Sequence, residues 1–187
     1  MTDVTAPTAL DDARAKRNVT VLVAAQAILG AQMPILFILG GLAGQILAEN
    51  KALATLPISI IVMVSTVSAP LLSGLMARHG RRAGFLIGAL SGATGGALGA
   101  AALMQGSFQL LVFAAGFNGV YMAAQGFYRF AAADTASPGF RPKAISWVLG
   151  GGVFAAIVGQ QAVIHTKNLF APVEFAGAFV AVIGLGL

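Results

Sequence analysis

Polar side chains that both donate and accept hydrogen bonds interrupt several long apolar stretches of this sequence. Three of them, Asn118, Tyr121 and Gln125, recur at i, i+3 and i+7, a spacing that places them on one face of a helix. Amide and hydroxyl groups in this arrangement can bind a polar solute, or they can hydrogen-bond a neighbouring helix. The spacing favours neither interpretation over the other.

Further polar groups lie in other apolar stretches. The first stretch contains Gln26 and Gln32, and the fifth contains Gln161, with His165 one turn further on. A single histidine near a helix end is more typical of a membrane interface than of proton transfer. The candidates for lining a solute path are therefore Gln26, Gln32, Asn118, Tyr121, Gln125 and Gln161.

The composition indicates that lipid, not water, surrounds most of the chain. Hydrophobic residues make up 58% of the sequence and charged residues only 9%, whereas soluble domains carry about 25% charged residues. The net charge of +5 does not predict a nucleic-acid partner, because the basic residues flank apolar stretches instead of forming one patch. The absence of cysteine excludes disulfides and thiolate metal sites. No metal-ligand cluster or nucleophile–base pair is recognisable, so we expect no enzyme activity and no cofactor.

The apolar stretches predict an all-α membrane protein with six transmembrane helices, since a spanning helix needs about 20 apolar residues. The first is overlong, and Pro34 with the glycines at 40, 41 and 44 offers places for a kink. The sixth has only fifteen residues, so we expect a longer chain to complete it. We predict a tail over 1–18 and a helical bundle over 19–187. The predicted spans are 19–48, 53–77, 83–104, 108–129, 144–165 and 173–187.

The distribution of lysine and arginine predicts the orientation. Nine basic residues lie in the N-terminal tail and in the loops after the second and fourth spans, and only Lys51 and Lys167 lie in the other loops. Basic residues concentrate in cytoplasmic loops. We therefore expect a protein of the inner membrane, in contact with lipids, whose N-terminus lies in the cytoplasm. No aspartate or glutamate lies deep within the five complete spans, so ion coupling would require groups elsewhere.

The third span carries a glycine repeat with a period of four. Such a repeat keeps bare backbone on one helix face, where another helix can approach closely. We predict that this face packs against other helices and plays no direct chemical part. The repeat continues from Gly80 through Gly84, Gly88, Gly92 and Gly96.

The loop after the second span, SGLMARHGRR from Ser73 to Arg82, resembles the signature G-x-x-x-D-R-x-G-R-R of the major facilitator superfamily. The matching residues are Arg78, Gly80, Arg81 and Arg82, while Ala77 replaces the aspartate of the signature. The stretch YRFAAAD, which ends at Asp134, is also similar to the family. The resemblance implies a bundle like the N-terminal half of such a carrier.

The resemblance also implies a function. The signature loop would act as a conformational latch, and the fourth helix would line a central cavity for a small-molecule substrate. The partner would be a C-terminal six-helix half or a second copy of the chain, which would make a homodimeric half-transporter. Two alternatives stay open at this point. In one, the arginines serve only as topological anchors; in the other, the chain is a structural or assembly subunit that transports nothing.

Overall fold

The computed structural model describes residues 9–134, 136–169, 173 and 175–186, and within these ranges the chain is helical without any strand. Two short 3₁₀ turns, Leu29–Ala31 and Lys51–Leu53, interrupt the α-helices. The helices are α1 (Ala9–Ile28), α2 (Gln32–Leu47), α3 (Leu56–His79), α4 (Arg81–Gln105), α5 (Phe108–Gly126), α6 (Tyr128–Asp134), α7 (Arg141–Thr166) and α8 (Ala176–Gly186).

Five segments of the described chain are long and apolar enough to cross a membrane, and they agree with the first five predicted spans to within a few residues. The chain is thus an integral membrane protein. The described part of the sixth predicted span, α8, has 11 residues and is too short to cross by itself. The five are span one (Ala15–Leu47), span two (Lys51–His79), span three (Arg81–Gln105), span four (Phe108–Asp134) and span five (Arg141–Thr166).

The predicted tail overlaps the first part of α1, and the predicted kink falls in span one. Residues 1–8 of the predicted tail lie outside the described residues. Helix α1 begins at Ala9, so residues 9–18 are helical, and their cytoplasmic location stays a prediction. The 3₁₀ turn Leu29–Ala31 lies just before Pro34. Proline lacks an N–H and crowds the carbonyl four residues earlier, which here belongs to Gly30. The α-helix is thus interrupted just before the proline, while the glycines at 40, 41 and 44 remain helical.

The turns between spans contain the residues that such turns require. Gly80 joins α3 to α4 with a φ of 84°, and Gly106 ends α4 in the left-handed region with a φ of 65°. The side chain of Ser107 then caps α5 by accepting a hydrogen bond from the backbone N–H of Leu110 at 3.3 Å. These short connections keep spans two, three and four side by side.

The glycine repeat of α4 lies in the centre of the bundle, buried against α3, α2, α5 and α8. A Cβ at Gly88 would overlap Ala124 of α5, and one at Gly92 would lie 2.9 Å from both Gln32 Oε1 and the Tyr121 ring. Gly84 and Gly96 also have close neighbours, whereas Gly80, at the turn before α4, has none within 4 Å. Gly84 lies against Met76, and Gly96 lies against Phe179 and Val182 of α8.

Large apolar side chains cover the outside of the bundle. On α3 they include Val67 and Leu71, which are 63% and 71% exposed, and on α7 they include Val153 and Phe154. A monomeric soluble protein rarely exposes such continuous apolar faces. These faces are the surfaces that hydrocarbon or another hydrophobic helix would cover.

Candidate functional site

A cavity of about 320 Å³ opens between spans one, four and five, and it contains two of the predicted polar residues. Its walls combine apolar side chains with two glutamine amides and one guanidinium, as binding sites for organic molecules generally do. The lining residues are Gln26, Met33, Phe37, Met122, Gln125, Gly126, Arg129, Val148 and Leu149.

The two glutamines of this cavity converge on the backbone of Gly30, in the 3₁₀ turn of span one. The side-chain nitrogens of Gln26 and Gln125 each lie 3.2 Å from the position that a Cβ on Gly30 would occupy. They therefore lie within about twice that distance of each other. A side chain at position 30 would crowd both amides and the Ala155 methyl group. The absence of a side chain at Gly30 thus brings the two amides together.

Tyr121 lies behind the cavity and links span four to the break in span one. Its hydroxyl donates a hydrogen bond to the carbonyl oxygen of Leu29 and accepts one from Gln125 Nε2 at 3.3 Å. The carbonyls of a broken helix are available for such additional bonds. Tyr121 therefore fixes the position of the Gln125 side chain relative to the 3₁₀ turn.

Span five supports the cavity through a stripe of small residues that the sequence analysis did not recognise. Gly151, Ala155 and Gly159 follow one another at intervals of four. A Cβ at Gly151 would lie 2.8 Å from the carbonyl oxygen of Val23, and one at Gly159 would lie 2.5 Å from that of Ala31. The Ala155 methyl group lies against Gly30. The same small-residue spacing that marked α4 would have revealed this stripe.

Arg129 supplies the only charged side chain of the cavity lining. It lies one turn beyond Gln125 and is exposed, with its guanidinium carbon 5.0 Å from the centre of the Phe130 ring. Stacking on an aromatic ring limits the positions of the guanidinium without neutralising its charge. Arg129 can therefore donate hydrogen bonds to an uncharged acceptor or attract an anion at that end of the cavity.

The remaining predicted polar candidates lie outside this cavity. Gln32 is fully buried, and both its amide atoms lack hydrogen-bond partners within the described chain. Asn118 is 2% exposed and packs against Gly95 of α4, beside a void of only about 10 Å³. Gln161 is exposed on α7. Of the six candidates, the structure brings together Gln26, Tyr121 and Gln125.

The loop with the arginine signature forms an ion pair that the sequence analysis did not assign. Arg81 Nε and Nη2 donate hydrogen bonds to one oxygen of Asp134, at 3.0 and 2.5 Å, and link the start of span three to the end of span four. The two side chains are 36% and 54% exposed. Arg78 and Arg82 are exposed, and Gly80 has the positive φ described above. Ala77 has no carboxylate and cannot be an acidic partner for these arginines. In the described structure, the acidic partner of this loop is Asp134.

A second cavity lies on the other side of span four and is almost wholly apolar. It measures about 480 Å³ and lies between α3, α4 and α5. Ser91 is its one hydroxyl-bearing lining residue, and it contains no amide or charge. It offers little to orient a polar molecule. The lining residues are Ile60, Val64, Ser91, Val112, Phe113, Gly116, Phe117 and Val120.

The described residues contain no group of three histidine, cysteine, aspartate or glutamate side chains that could hold a metal ion. The chemistry of the first cavity is thus that of hydrogen bonding, apolar contact and one positive charge. This combination suits reversible binding of an organic molecule. The fold is that of a multi-span membrane protein whose broken first helix borders the cavity.

Comparison with known proteins gives one informative similarity. The chain is 39% identical, over all of its 187 residues, to a protein of Brucella anthropi named riboflavin transporter RfnT. It covers 45% of that protein, so it spans about half the length of the curated relative that it matches. No family model matches the chain, and no solved structure matches it either.

Proposed function

We propose that this chain is part of a membrane carrier that moves riboflavin or a closely related flavin. The observation that carries this proposal is the 39% identity to the riboflavin transporter along the whole chain. The cavity supports it, because spans one, four and five surround an apolar space with amides at its wall. An uncharged, planar flavin would require such amides and no buried counter-ion.

The chain is further proposed to act as the N-terminal half of a carrier of the major facilitator type. Its length, 45% of the relative, leaves room for a second helical half. A C-terminal six-helix half would complete the transporter, or a second copy of this chain would do so. The solute would bind between the halves and become accessible from each side in turn. The resemblance of the loop from Ser73 to Arg82 to the family signature motivates this assignment.

The loop residues Arg78, Gly80, Arg81 and Arg82 are proposed to form the conformational latch of the carrier on the cytoplasmic side of the inner membrane. Arg81 is held by Asp134 at the end of span four, so the loop is coupled to the span that carries Gln125. A movement of span four on solute binding would therefore reach the loop directly.

Uptake of riboflavin into liposomes tests the central proposal. The protein as its gene encodes it is reconstituted, and riboflavin inside the vesicles is measured by its fluorescence. We expect uptake that saturates with riboflavin concentration and that exceeds uptake by protein-free liposomes. Gln125→Ala should raise the concentration for half-maximal uptake. Uptake no faster than in protein-free liposomes, with correctly folded protein present, would refute the proposed function.

Cysteine labelling tests the proposed orientation, since this chain contains no cysteine of its own. Ala52→Cys and Arg82→Cys place single thiols at exposed positions on either side of α3, in the 3₁₀ turn Lys51–Leu53 and in the first turn of α4. In intact cells, we expect a membrane-impermeant maleimide to label position 52 and to reach position 82 only after permeabilisation. The opposite pattern would place the N-terminus outside the cytoplasm.

A further inference from the structure

The hydrogen bonds around Tyr121 determine which atoms of Gln125 remain available to a ligand. A phenol has one proton, and Tyr121 donates it to the carbonyl oxygen of Leu29. The tyrosine oxygen can then only accept, so the group of Gln125 that faces it must be the NH₂. The Oε1 atom of Gln125 and its second N–H stay free. Tyr121 thus orients an amide whose direction would otherwise be ambiguous.

Gln26 provides a second free amide at the same place. Neither its oxygen nor its nitrogen has a hydrogen-bond partner among the described residues, and its nitrogen lies beside Gly30 together with that of Gln125. Two amides that share one point of the wall offer acceptors and donors side by side. The natural complement is a flat ligand edge on which donors and acceptors alternate.

The other walls of the cavity indicate which part of a flavin enters it. Met33, Phe37, Met122 and Leu149 present apolar surface that a hydroxylated sugar-alcohol chain would leave without hydrogen bonds. A fused aromatic ring can instead pack on such side chains. The ring system is therefore the part that these walls fit.

We infer that Gln26 and Gln125 hydrogen-bond to the imide edge of the flavin ring, where an N3–H lies between two carbonyls. Tyr121 acts as a positioning residue. This inference rests on the proposed function. Each glutamine amide can accept from N3–H or donate to a neighbouring carbonyl, so together the two amides match the acceptor–donor–acceptor edge. A ligand whose N3 carries a methyl group would lack the donor and would clash with the amides.

A comparison of the affinities for two flavins tests this assignment. Binding of riboflavin and of 3-methylriboflavin to the purified protein is measured by the change in flavin fluorescence. The wild type should bind riboflavin at least about tenfold more tightly, because an unpaired buried amide lowers affinity by this order. Gln26→Ala and Gln125→Ala should each weaken riboflavin binding about tenfold and bring the two affinities close together.

Three further variants separate recognition from folding. Gln125→Met retains the side-chain volume and should lose the preference for riboflavin over 3-methylriboflavin, as Gln125→Ala does. Asn118→Ala removes a buried amide outside the cavity and should keep the wild-type ratio of affinities. Tyr121→Phe leaves the ring in place but frees the Gln125 amide to rotate, so it should lower the preference without abolishing riboflavin binding. Melting temperatures in detergent show whether each variant is folded.

The outcomes distinguish the inference from the proposed function. If the wild type binds no riboflavin, the proposed function fails and the inference fails with it. If the wild type binds riboflavin but Gln26→Ala, Gln125→Ala and Gln125→Met all keep the wild-type ratio of affinities, only the imide-edge assignment is overturned. Loss of the preference in folded glutamine variants, together with its retention in Asn118→Ala, supports the assignment.

Discussion

The two ends of one polar stripe on α5 have opposite surroundings. At one end, Asn118 is enclosed against Gly95 of α4, and its Oδ1 has no hydrogen-bond partner within the described chain. At the other end, Gln125 borders a cavity of about 320 Å³ and is oriented by Tyr121. The helical spacing is the same throughout. What differs is the neighbour, because α4 presents bare glycine backbone to Asn118, whereas a cavity between spans one, four and five lies beside Gln125.

This difference shows that a membrane bundle can be closely packed at one end of a helix face and open a few residues further along. Glycine lets helices approach until no space remains for a solute. Beside Gln125, in contrast, a cavity remains between spans one, four and five. The enclosed end of the stripe should therefore respond to substitutions through stability, and the open end through binding.

The largest effect is expected at the enclosed end. Gly95→Leu would place a branched side chain where even a Cβ overlaps Asn118, so we expect a loss of about 3 kcal/mol of folding free energy and much less correctly folded protein. Size-exclusion chromatography and thermal melting in detergent measure this. The matched control is Gly126→Ala, since a Cβ there has no neighbour within 4 Å and alanine favours the helix. Equal melting temperatures for the two variants would contradict the description of the enclosed end.

The next largest effect is expected at the open end. Gly126→Leu should fill part of the cavity and reduce riboflavin uptake by about tenfold or more, because a side chain now occupies solute space. Its melting temperature should stay close to that of the wild type. Uptake assays in liposomes and melting curves in detergent test both statements. A folded Gly126→Leu variant with normal uptake would show that this cavity is not the solute path.

A smaller effect is expected from Asn118→Ala. The substitution removes packing against Gly95 but also removes a buried oxygen without a partner, and these contributions oppose each other. We expect a change within about 1 kcal/mol in stability and an unchanged riboflavin affinity. Thermal melting and flavin fluorescence titration give the two values. A tenfold loss of affinity here would place Asn118 in the solute path after all.

The smallest effect on stability is expected beyond the open end, at the ion pair of Arg81 and Asp134. Both side chains are substantially exposed, and exposed ion pairs contribute about 0.2 to 1 kcal/mol. Asp134→Asn should therefore lower the melting temperature by little, and high salt should reduce the difference from the wild type. If the pair is part of a latch, the same variant should change the rate of uptake more than the affinity for riboflavin. An unchanged rate would limit the pair to a structural role.

Some features of the fold could be predicted from local sequence. The first five apolar stretches match the five spans because the length of a spanning helix is set by the bilayer. Pro34 marked the place of the break in span one, since a missing N–H acts on its own helix. The glycine period of α4 indicated a packing face, although the glycines did not specify their partners. Asp134 was noted as the last residue of the stretch YRFAAAD, but its pairing with Arg81 was not predicted.

The sequence by itself determined that lipid surrounds this chain, where its helices lie and which residues share a helix face, because all of these depend on hydropathy and on a fixed helical repeat. Only the tertiary structure decided which polar residues border a cavity. Gln26 and Gln125 are far apart in the sequence and meet at Gly30, while Gln32 and Asn118 are enclosed by glycines of α4. The physical reason is that enclosure depends on the size of the side chains on the facing helix, and helical spacing says nothing about which helix that is.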